Sequence, residues 1–246
     1  MSVALVTGGG GGLGRAIALR LARDGAAIAL ADHDPASGTE TVRMVEAAGR
    51  RALFVWTDVS DSAGFAACVA AVERDLGPIT AFVRNAGIEG VVAPIDEYPD
   101  VVFDRVLTVN AKGTFLGLKH VLGRMRQRSA GSIVTIDPTS AIRGRAGLAG
   151  YVAAKHAVLG LTRVAALDVQ GAGVRVNAVL PGPIDTRMIH SLDAQALSSG
   201  GAIRRAGQPT YGKPADVANV VVFLLSDEAV HVNGAALTVD AAVSVL

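Results

Sequence analysis

Tyr151 and Lys155 are the residues whose types and spacing most directly suggest chemistry. They stand four residues apart in Tyr151-Val-Ala-Ala-Lys155, so one helical face would present both side chains. A phenol beside an ammonium group can donate or accept a proton near neutral pH. The pair therefore predicts general acid–base chemistry, whereas an isolated helix tyrosine would need only a partner for its hydroxyl group.

A glycine-rich stretch, TGGGGGLG at residues 7–14, joins an apolar run to an amphipathic one. Glycines allow the backbone to approach a pyrophosphate, and a helix N-terminus offers free N–H groups and the positive end of a dipole. Glycines alone would also suit a plain flexible turn. The strand before the stretch and the helix after it favour a dinucleotide site.

Asp32 ends the second apolar run, 18 residues past Gly14. A carboxylate there can accept hydrogen bonds from both hydroxyls of an adenosine ribose, and it would repel a 2′-phosphate. Its neighbour Asp34 adds a second acid, and no Lys or Arg stands beside them to receive a phosphate. We therefore predict NAD rather than NADP as cofactor. The alternative for Asp32 is a solvated acid at a strand end.

The elements that must position these residues follow from the alternation of short apolar runs with amphipathic segments. Predicted strands cover 3–7, 27–32, 52–58, 80–85, 131–137, 174–180 and 236–240, and helices separate most of them. Strands that are apolar throughout indicate a parallel sheet covered on both faces. We predict an α/β fold, a single-domain doubly wound parallel sheet of Rossmann type over 1–246. A substrate lid is expected at about 187–212.

Composition and charge exclude several classes of function. The 246 residues carry a net charge of +1, which gives no electrostatic reason to expect nucleic acid or an anionic membrane as partner. The single cysteine, Cys68, can form neither an intrachain disulfide nor a multi-cysteine metal site. No run of about 18 apolar residues and no signal segment is visible. We therefore predict a cytoplasmic protein without a membrane span or catalytic metal.

Six motifs, in order and each at a strand end, resemble the short-chain dehydrogenase/reductase superfamily over essentially the whole chain. They are Thr7-Gly8-x-x-x-Gly12-Leu13-Gly14 for the cofactor loop, Asp58-Val59 at the adenine end, Asn85-Ala86-Gly87 after the fourth strand, the active-site Asn110, Tyr151-x-x-x-Lys155, and Pro181-Gly182-x-Ile184-x-Thr186 at the nicotinamide end. The resemblance implies an NAD(H)-dependent oxidoreductase acting on a secondary alcohol or its ketone.

The resemblance also implies roles for individual residues. Tyr151 would exchange a proton with the substrate oxygen, and Lys155 would lower the pKa of the phenol and bind the nicotinamide ribose. Asn110 would anchor a water that links Lys155 to solvent. Members of this family commonly pair through the helices that correspond here to about 101–128 and 151–170. We therefore expect a homo-tetramer, with a dimer as the next alternative.

Pro138 departs from the family pattern at a catalytic position. The family places a serine 13 residues before the tyrosine to orient the substrate carbonyl, and that position here holds proline, which has neither a side-chain donor nor a backbone N–H. The next residue, Thr139, is the best stand-in. The alternatives are a substrate that needs no such donor, a weakened enzyme, an NAD-binding protein without turnover, or a purely structural oligomer subunit.

The substrate is only loosely constrained by the sequence. Four arginines on the loop before Tyr151 and in the expected lid would suit an anionic substrate, although surface-facing arginines are the commoner case: Arg143, Arg145, Arg204 and Arg205. A small-molecule alcohol or ketone is the expected partner.

Overall fold

Seven parallel strands form one sheet in the computed structural model, which describes residues 3–198 and 211–245. The spatial order of the strands within these residues is β3-β2-β1-β4-β5-β6-β7. Their bounds are β1 (Val3–Thr7), β2 (Ala27–Asp32), β3 (Ala52–Trp56), β4 (Ala81–Arg84), β5 (Gly131–Ile136), β6 (Val174–Pro181) and β7 (Ala236–Val239). The predicted doubly wound α/β fold is confirmed, and strand boundaries differ from prediction by at most two residues.

Helices cover both faces of this sheet. They are α1 (Gly12–Arg23), α2 (Pro35–Ala47), α3 (Ser62–Asp75), α4 (Asp100–Val106), α5 (Gly113–Arg128), α6 (Ala149–Asp168), α7 (Arg187–Ser198) and α8 (Pro214–Leu225). The helix expected over 101–128 is interrupted, because a π-helical turn, Leu107–Lys112, lies between α4 and α5. Helix α7 begins the segment that we predicted as a lid. Residues 199–210 of that segment lie outside the described residues.

Two aliphatic layers hold the helices to the sheet. On one face, Ile17 and Leu21 of α1 pack against β1 and β2, and Val221 of α8 belongs to the same buried cluster, where α8 lies over β5 and β6. On the other face, Phe65 of α3 and Phe82 of β4 meet edge to face, with ring centroids 6.2 Å apart. Such burial of apolar area is the main favourable contribution to folding.

The strand order reverses between β1 and β4. Chain segments that leave the carboxyl ends of these two neighbouring strands turn to opposite faces of the sheet, and a crevice opens between them. The segments that follow β1, β4, β5 and β6 therefore converge on one edge of the sheet, where the sequence motifs lie.

Across 3–198 and 211–245, no helix combines the length and apolar character required to cross a bilayer.

Candidate active site

A cavity of about 780 Å³ lies beyond the carboxyl ends of the strands. It is lined by most of the site residues that the sequence predicts: Gly8, Gly12, Leu13, Asp32, Asp58, Val59, Asn85, Ala86, Gly87, Pro138, Thr139, Tyr151, Lys155, Pro181, Gly182, Ile184 and Thr186. Two predicted residues, Gly14 and Asn110, do not line it. Both contribute to the site through packing and hydrogen bonds instead.

The glycine loop is shaped by backbone conformations that side chains disfavour. Gly8 and Gly12 have φ angles of 64° and 50°, which L residues other than glycine rarely adopt. A Cβ at Gly14 would stand 2.0 Å from the carbonyl oxygen of Gly8. Because Gly11 at the N-cap of α1 offers no side-chain acceptor, the first N–H groups of this helix are left for a ligand in the cavity.

Asp32 supports the glycine loop and also faces the cavity. Its Oδ2 accepts a hydrogen bond from the Gly10 N–H at 2.8 Å, and its Oδ1 accepts one from the Asp34 N–H at 3.1 Å. An ionised carboxylate has about four acceptor sites. The buried carboxylate can therefore hold the loop and still accept hydrogen bonds from hydroxyl groups of a ligand.

Asp58 and Val59 also line the cavity, and the preceding residue, Thr57, donates its backbone N–H to the carbonyl oxygen of Asp32 at 2.9 Å. The side chain and backbone N–H of Ser60 both donate to Asp58 Oδ1, at 2.6 and 2.9 Å. These hydrogen bonds lower the pKa of Asp58 below its ordinary value. The carboxylate is thereby fixed in its charged form at the mouth of the cavity.

Tyr151 and Lys155 are both buried on α6, as their spacing predicts. Lys155 Nζ donates to the carbonyl oxygen of Ile136 at 3.0 Å and lies 5.7 Å from the centroid of the Tyr151 ring. The Tyr151 hydroxyl contacts Met188 Sδ of α7 at 3.7 Å. The two side chains therefore share the inner wall of the cavity, with α7 opposite the phenol.

The electrostatics of this pair differ from the expectation that Lys155 lowers the pKa of Tyr151. Burial raises the pKa of Tyr151 above its ordinary value, and the negative charges of Asp137 and Glu89 raise it further. Burial also lowers the pKa of Lys155, to about 8. The phenol is consequently protonated at neutral pH, which suits a proton donor, because desolvation here exceeds the effect of nearby cations.

Pro138 ends the ladder of β5 and begins a short 3₁₀ turn, Thr139–Ala141. Asp137 still donates its backbone N–H to Val179 at 2.9 Å, and Pro138 has no N–H to continue the ladder. Thr139 is buried beside the cavity, and its Oγ1 accepts a hydrogen bond from Arg145 Nη2 at 3.3 Å. The hydroxyl hydrogen of Thr139 is then available for a ligand, because the guanidinium occupies only an acceptor site.

The four arginines singled out in the sequence have different positions. Arg145 lines the cavity and contacts the hydroxyl groups of Thr139 and Ser140. Arg143 instead donates to the carbonyl oxygen of Val243 at 2.7 Å, near the end of the chain. Arg204 and Arg205 lie outside the described residues.

Asn110 organises the chain around the cavity from within the π-helical turn. Its Nδ2 donates to the carbonyl oxygen of Ile88 at 2.8 Å, and its Oδ1 accepts from the Ile88 N–H at 2.9 Å. Its backbone carbonyl accepts from Arg84 Nη2 at 2.7 Å and from the Thr114 hydroxyl at 2.6 Å. A fully buried amide thus ties the segment after β4 to the helix that follows it.

Two charged residues of this region were missed by the sequence analysis as site residues. Arg84 ends β4 and Asp137 follows β5, and both are almost completely buried behind the cavity wall. Each stands at the last position of an otherwise apolar run, FVR and IVTID. The sequence feature that could have identified them is a charged residue at the carboxyl end of an otherwise apolar strand.

A potential metal cluster is absent from the part of the chain that the structure describes: no group of three His, Cys, Asp or Glu side chains is placed to hold an ion.

The glycine loop at a helix N-terminus, the acid ending β2 and the Tyr–Lys pair in one crevice define a dinucleotide-binding α/β protein. Comparisons with known proteins narrow this class. Residues 9–244 match a family model described as enoyl-(acyl carrier protein) reductase. Levodione reductase of Leifsonia aquatica is 39% identical over 246 residues, covering 97% of this chain and 92% of that protein. The 2-(S)-hydroxypropyl-CoM dehydrogenase 3 of Xanthobacter autotrophicus is 38% identical over 242 residues, covering 97% and 94%.

Solved structures agree with these matches. The crystal structure of levodione reductase superposes with a TM-score of 0.91 at 38% identity, covering 99% of this chain and 98% of that one. The structure of NAD⁺-bound xylitol dehydrogenase superposes with a TM-score of 0.92 at 33% identity, covering 97% of each chain. This chain belongs to the short-chain dehydrogenase/reductase superfamily.

The double hydrogen bond of Asn110 generates a stability prediction. Asn110→Leu leaves the N–H and C=O of the half-buried Ile88 without their partners, and an unpaired group costs about 1–3 kcal/mol when it is fully shielded from water. We expect the free energy of unfolding, measured by denaturant titration, to fall by about 1 kcal/mol or more, because both groups are only partly shielded from water. Thr114→Val is the control, since it removes one bond to a carbonyl that Arg84 still satisfies. Equal losses in the two variants would contradict this assignment.

Proposed function

We propose that the chain transfers hydride between NAD(H) and a secondary alcohol or its ketone. The observation that carries this proposal is the shared cavity: the buried Tyr151–Lys155 pair lines the same space as the glycine loop and Asp32. Bound NAD supplies a hydride donor or acceptor, the C4 atom of its nicotinamide. Relatives named as dehydrogenases and reductases, and an NAD⁺-bound neighbour, support the reaction class and the cofactor.

Each part of the cavity has a role in holding the cofactor. The loop at Gly8 and Gly12 and the N-terminus of α1 bind the pyrophosphate, and Asp32 binds the adenosine ribose. Asp58 and Val59, which line the cavity, would contact the adenine. The remaining residues flank the path to the nicotinamide: Asn85, Ala86, Gly87, Pro181, Gly182, Ile184 and Thr186. Gly14 contributes by closing the loop, since a Cβ there would strike Gly8.

Tyr151 is the proton donor for ketone reduction. Its raised pKa keeps the phenol protonated until the substrate oxygen gains negative charge from hydride addition. Lys155 places a positive charge near the ring and binds the nicotinamide ribose. In the oxidation direction, Tyr151 accepts the proton of the alcohol. Asn110 acts through backbone bonds that fix the wall of the site rather than through direct contact with the cavity.

Thr139 takes the place of the donor that Pro138 cannot supply. Its hydroxyl group lies beside the cavity one residue after the proline, and the Arg145 guanidinium orients it at 3.3 Å. A second candidate function rests on Pro138 itself. Without a donor for the substrate carbonyl, the chain would be an NAD-binding protein with little or no turnover.

The substrate side of the cavity is formed by α7. Arg187, Met188, Ile189 and Leu192 line it opposite Tyr151, and this largely apolar surface supports a lid role for the described start of 187–212. We assign an uncharged or weakly charged alcohol or ketone to this face. A cytoplasmic location is consistent with the absence of a spanning helix among the described residues.

Three variants test the catalytic assignment. Thr139→Ala removes one donor to the developing oxyanion, so kcat for ketone reduction should fall by about 10²–10³ with little change in NAD binding. Tyr151→Phe should lower kcat strongly on every substrate. Pro138→Ser should keep activity and raise it on simple ketones. NADH absorbance over a panel of ketones, secondary alcohols and diols measures all three.

The outcomes separate the alternatives. If Thr139→Ala leaves kcat unchanged and Tyr151→Phe lowers it strongly, the substrate supplies its own hydroxyl group. Turnover that survives Tyr151→Phe on every substrate removes the catalytic assignment. If the native chain turns over no substrate and Pro138→Ser reduces simple ketones, the NAD-binding protein without turnover is the better description.

Asp32 generates a prediction for cofactor selectivity. The carboxylate repels a 2′-phosphate, so NAD(H) should bind at least about tenfold tighter than NADP(H), which corresponds to roughly 1.4 kcal/mol. Calorimetric titration of both cofactors measures the ratio, and Asp32→Asn should reduce it. Asp61→Asn is the matched control, because Asp61 caps α3 and does not line the cavity. Equal affinities of the native chain for the two cofactors would exclude this role for Asp32.

A homo-tetramer is the expected assembly. Phe115 of α5 and Val164 and Leu167 of α6 are exposed apolar residues on the two helices that the family uses for pairing. Light scattering should give about four times the 25.0 kDa chain mass, and Val164→Glu should reduce the assembly. Ile95→Glu, on an exposed turn outside these helices, should leave it intact. A species of one chain mass at micromolar concentration would refute this expectation.

A further inference from the structure

A cluster of three charged side chains lies buried behind the cavity wall. Arg84, Asp137 and Lys155 are 1%, 0% and 4% exposed. They come from three elements: the end of β4, the residue after β5, and the middle of α6. Charges are rarely buried to this extent unless they are paired. Of the three, the proposed mechanism above uses only Lys155.

The two carboxylate oxygens of Asp137 have different surroundings: one accepts a hydrogen bond, and the other faces Lys155. Oδ2 accepts a hydrogen bond from the Thr135 hydroxyl at 3.0 Å, and Thr135 in turn contacts the Thr162 hydroxyl of α6 at 2.8 Å. Oδ1 lies 3.9 Å from Lys155 Nζ and makes no hydrogen bond to any described residue. The carboxylate therefore acts on the ammonium group mainly through charge.

Arg84 is fixed on the other side of the cluster. Its Nη2 donates to the carbonyl oxygens of Val109 and Asn110, at 2.8 and 2.7 Å. Its Nε and Nη1 are buried and make no hydrogen bond within the described residues. No ion pair within 4.0 Å joins Arg84 to Asp137 in the part of the chain that the structure describes. Their charges nevertheless interact through an interior that screens weakly.

We propose that Asp137 is a positioning residue that keeps Lys155 charged and in place during proton transfer, and that Arg84 opposes it. The inference rests on the function proposed above, because it assigns to Asp137 a role through Lys155. It goes beyond that function in naming two residues that set the pH range of the reaction. Asp137 thus has an electrostatic role in the site, although the next residue, Pro138, offers no hydrogen-bond donor to a substrate.

The directions of the effects follow from the charges around Lys155. Burial lowers the pKa of Lys155, Asp137 raises it, and Arg84 lowers it. Two titratable groups face the ammonium. Tyr151 stays neutral because its own pKa is raised. Burial raises the pKa of Asp137, whereas the charges of Lys155 and Arg84 and the hydrogen bond from Thr135 lower it, so the carboxylate exerts its effect at pH values above that raised pKa. Removing the negative charge of Asp137 therefore lowers the pKa of Lys155 further, and the ammonium form is lost at a lower pH. Removing the charge of Arg84 has the opposite effect.

Nuclear magnetic resonance of lysine-labelled protein without cofactor tests this directly, because the chain has four lysines: Lys112, Lys119, Lys155 and Lys213. Lys155→Met assigns the signal. We expect the Lys155 titration near pH 8 in the native chain, and about one unit or more lower in Asp137→Asn. Thr135→Val is the matched control, since it removes the bond to Oδ2 and leaves the carboxylate charge. It should shift the titration far less than Asp137→Asn.

Arg84→Gln keeps the proposal testable if Asp137→Asn does not fold. It should move the Lys155 titration to higher pH, so the two variants shift it in opposite directions. The double variant, which removes one charge of each sign, should shift it less than either single variant. A titration that is unchanged in every folded variant, or that moves in the same direction in both single variants, overturns the proposal.

The pH profile of ketone reduction gives a second measurement. The alkaline limb of kcat/KM should move to lower pH in Asp137→Asn, by the same amount as the Lys155 titration. A purely structural role would lower kcat at every pH without moving this limb. If the native chain is active and the limb does not move, the role of Asp137 is wrong and the proposed function stands. If the native chain has no turnover but the titration shifts as expected, the proposed function fails and the electrostatic assignment survives.

Discussion

The hydrogen bonds that join the carboxyl ends of β1 and β4 are the constraint on which the rest of the site depends. The Thr7 hydroxyl accepts from the backbone N–H groups of Asn85 and Ala86, and the Asn85 amide donates to the carbonyl oxygens of Thr7 and Gly8. The crevice opens where the chain leaves these two strands in opposite directions. These hydrogen bonds fix the position of the glycine loop relative to the segment that leads to Asn110.

Much of the fold could be predicted because each strand is short, apolar and bounded by turn residues. Such patterns depend only on local sequence, so β1 and β2 were predicted with their observed bounds. The π-helical turn at Leu107–Lys112 could not be predicted, since it depends on the bonds of Asn110 to Ile88. The sequence analysis predicted a substrate lid at about 187–212 and no helix there, whereas the structure forms α7 at the start of this segment.

The candidate site could be predicted at positions where the residue type and its place at a strand end or on a helix face indicate the ligand group it would bind. Asp32, Tyr151 and Lys155 lie in the cavity because strand ends and helix faces place them there. Gly14 and Asn110 support the cavity without lining it, and their roles in cofactor binding and catalysis stay predictions. Arg84 and Asp137 were not predicted as site residues. Charged side chains that come together from two strands and a helix have no characteristic spacing in the sequence. Burial and the negative charge of Asp137 raise the pKa of Tyr151, whereas the positive charge of Arg84 lowers it.

Burial of Lys155 has a consequence for the reactivity of the chain toward carbonyl reagents. An amine that loses its proton near pH 8 is a nucleophile under mild conditions, whereas the other three lysines, Lys112, Lys119 and Lys213, are exposed on the surface. Above about pH 8, a small aldehyde that enters the cavity would meet an unprotonated amine beside a phenol, which is the arrangement that forms an imine. The site that moves protons is also the place where this protein is most open to covalent labelling.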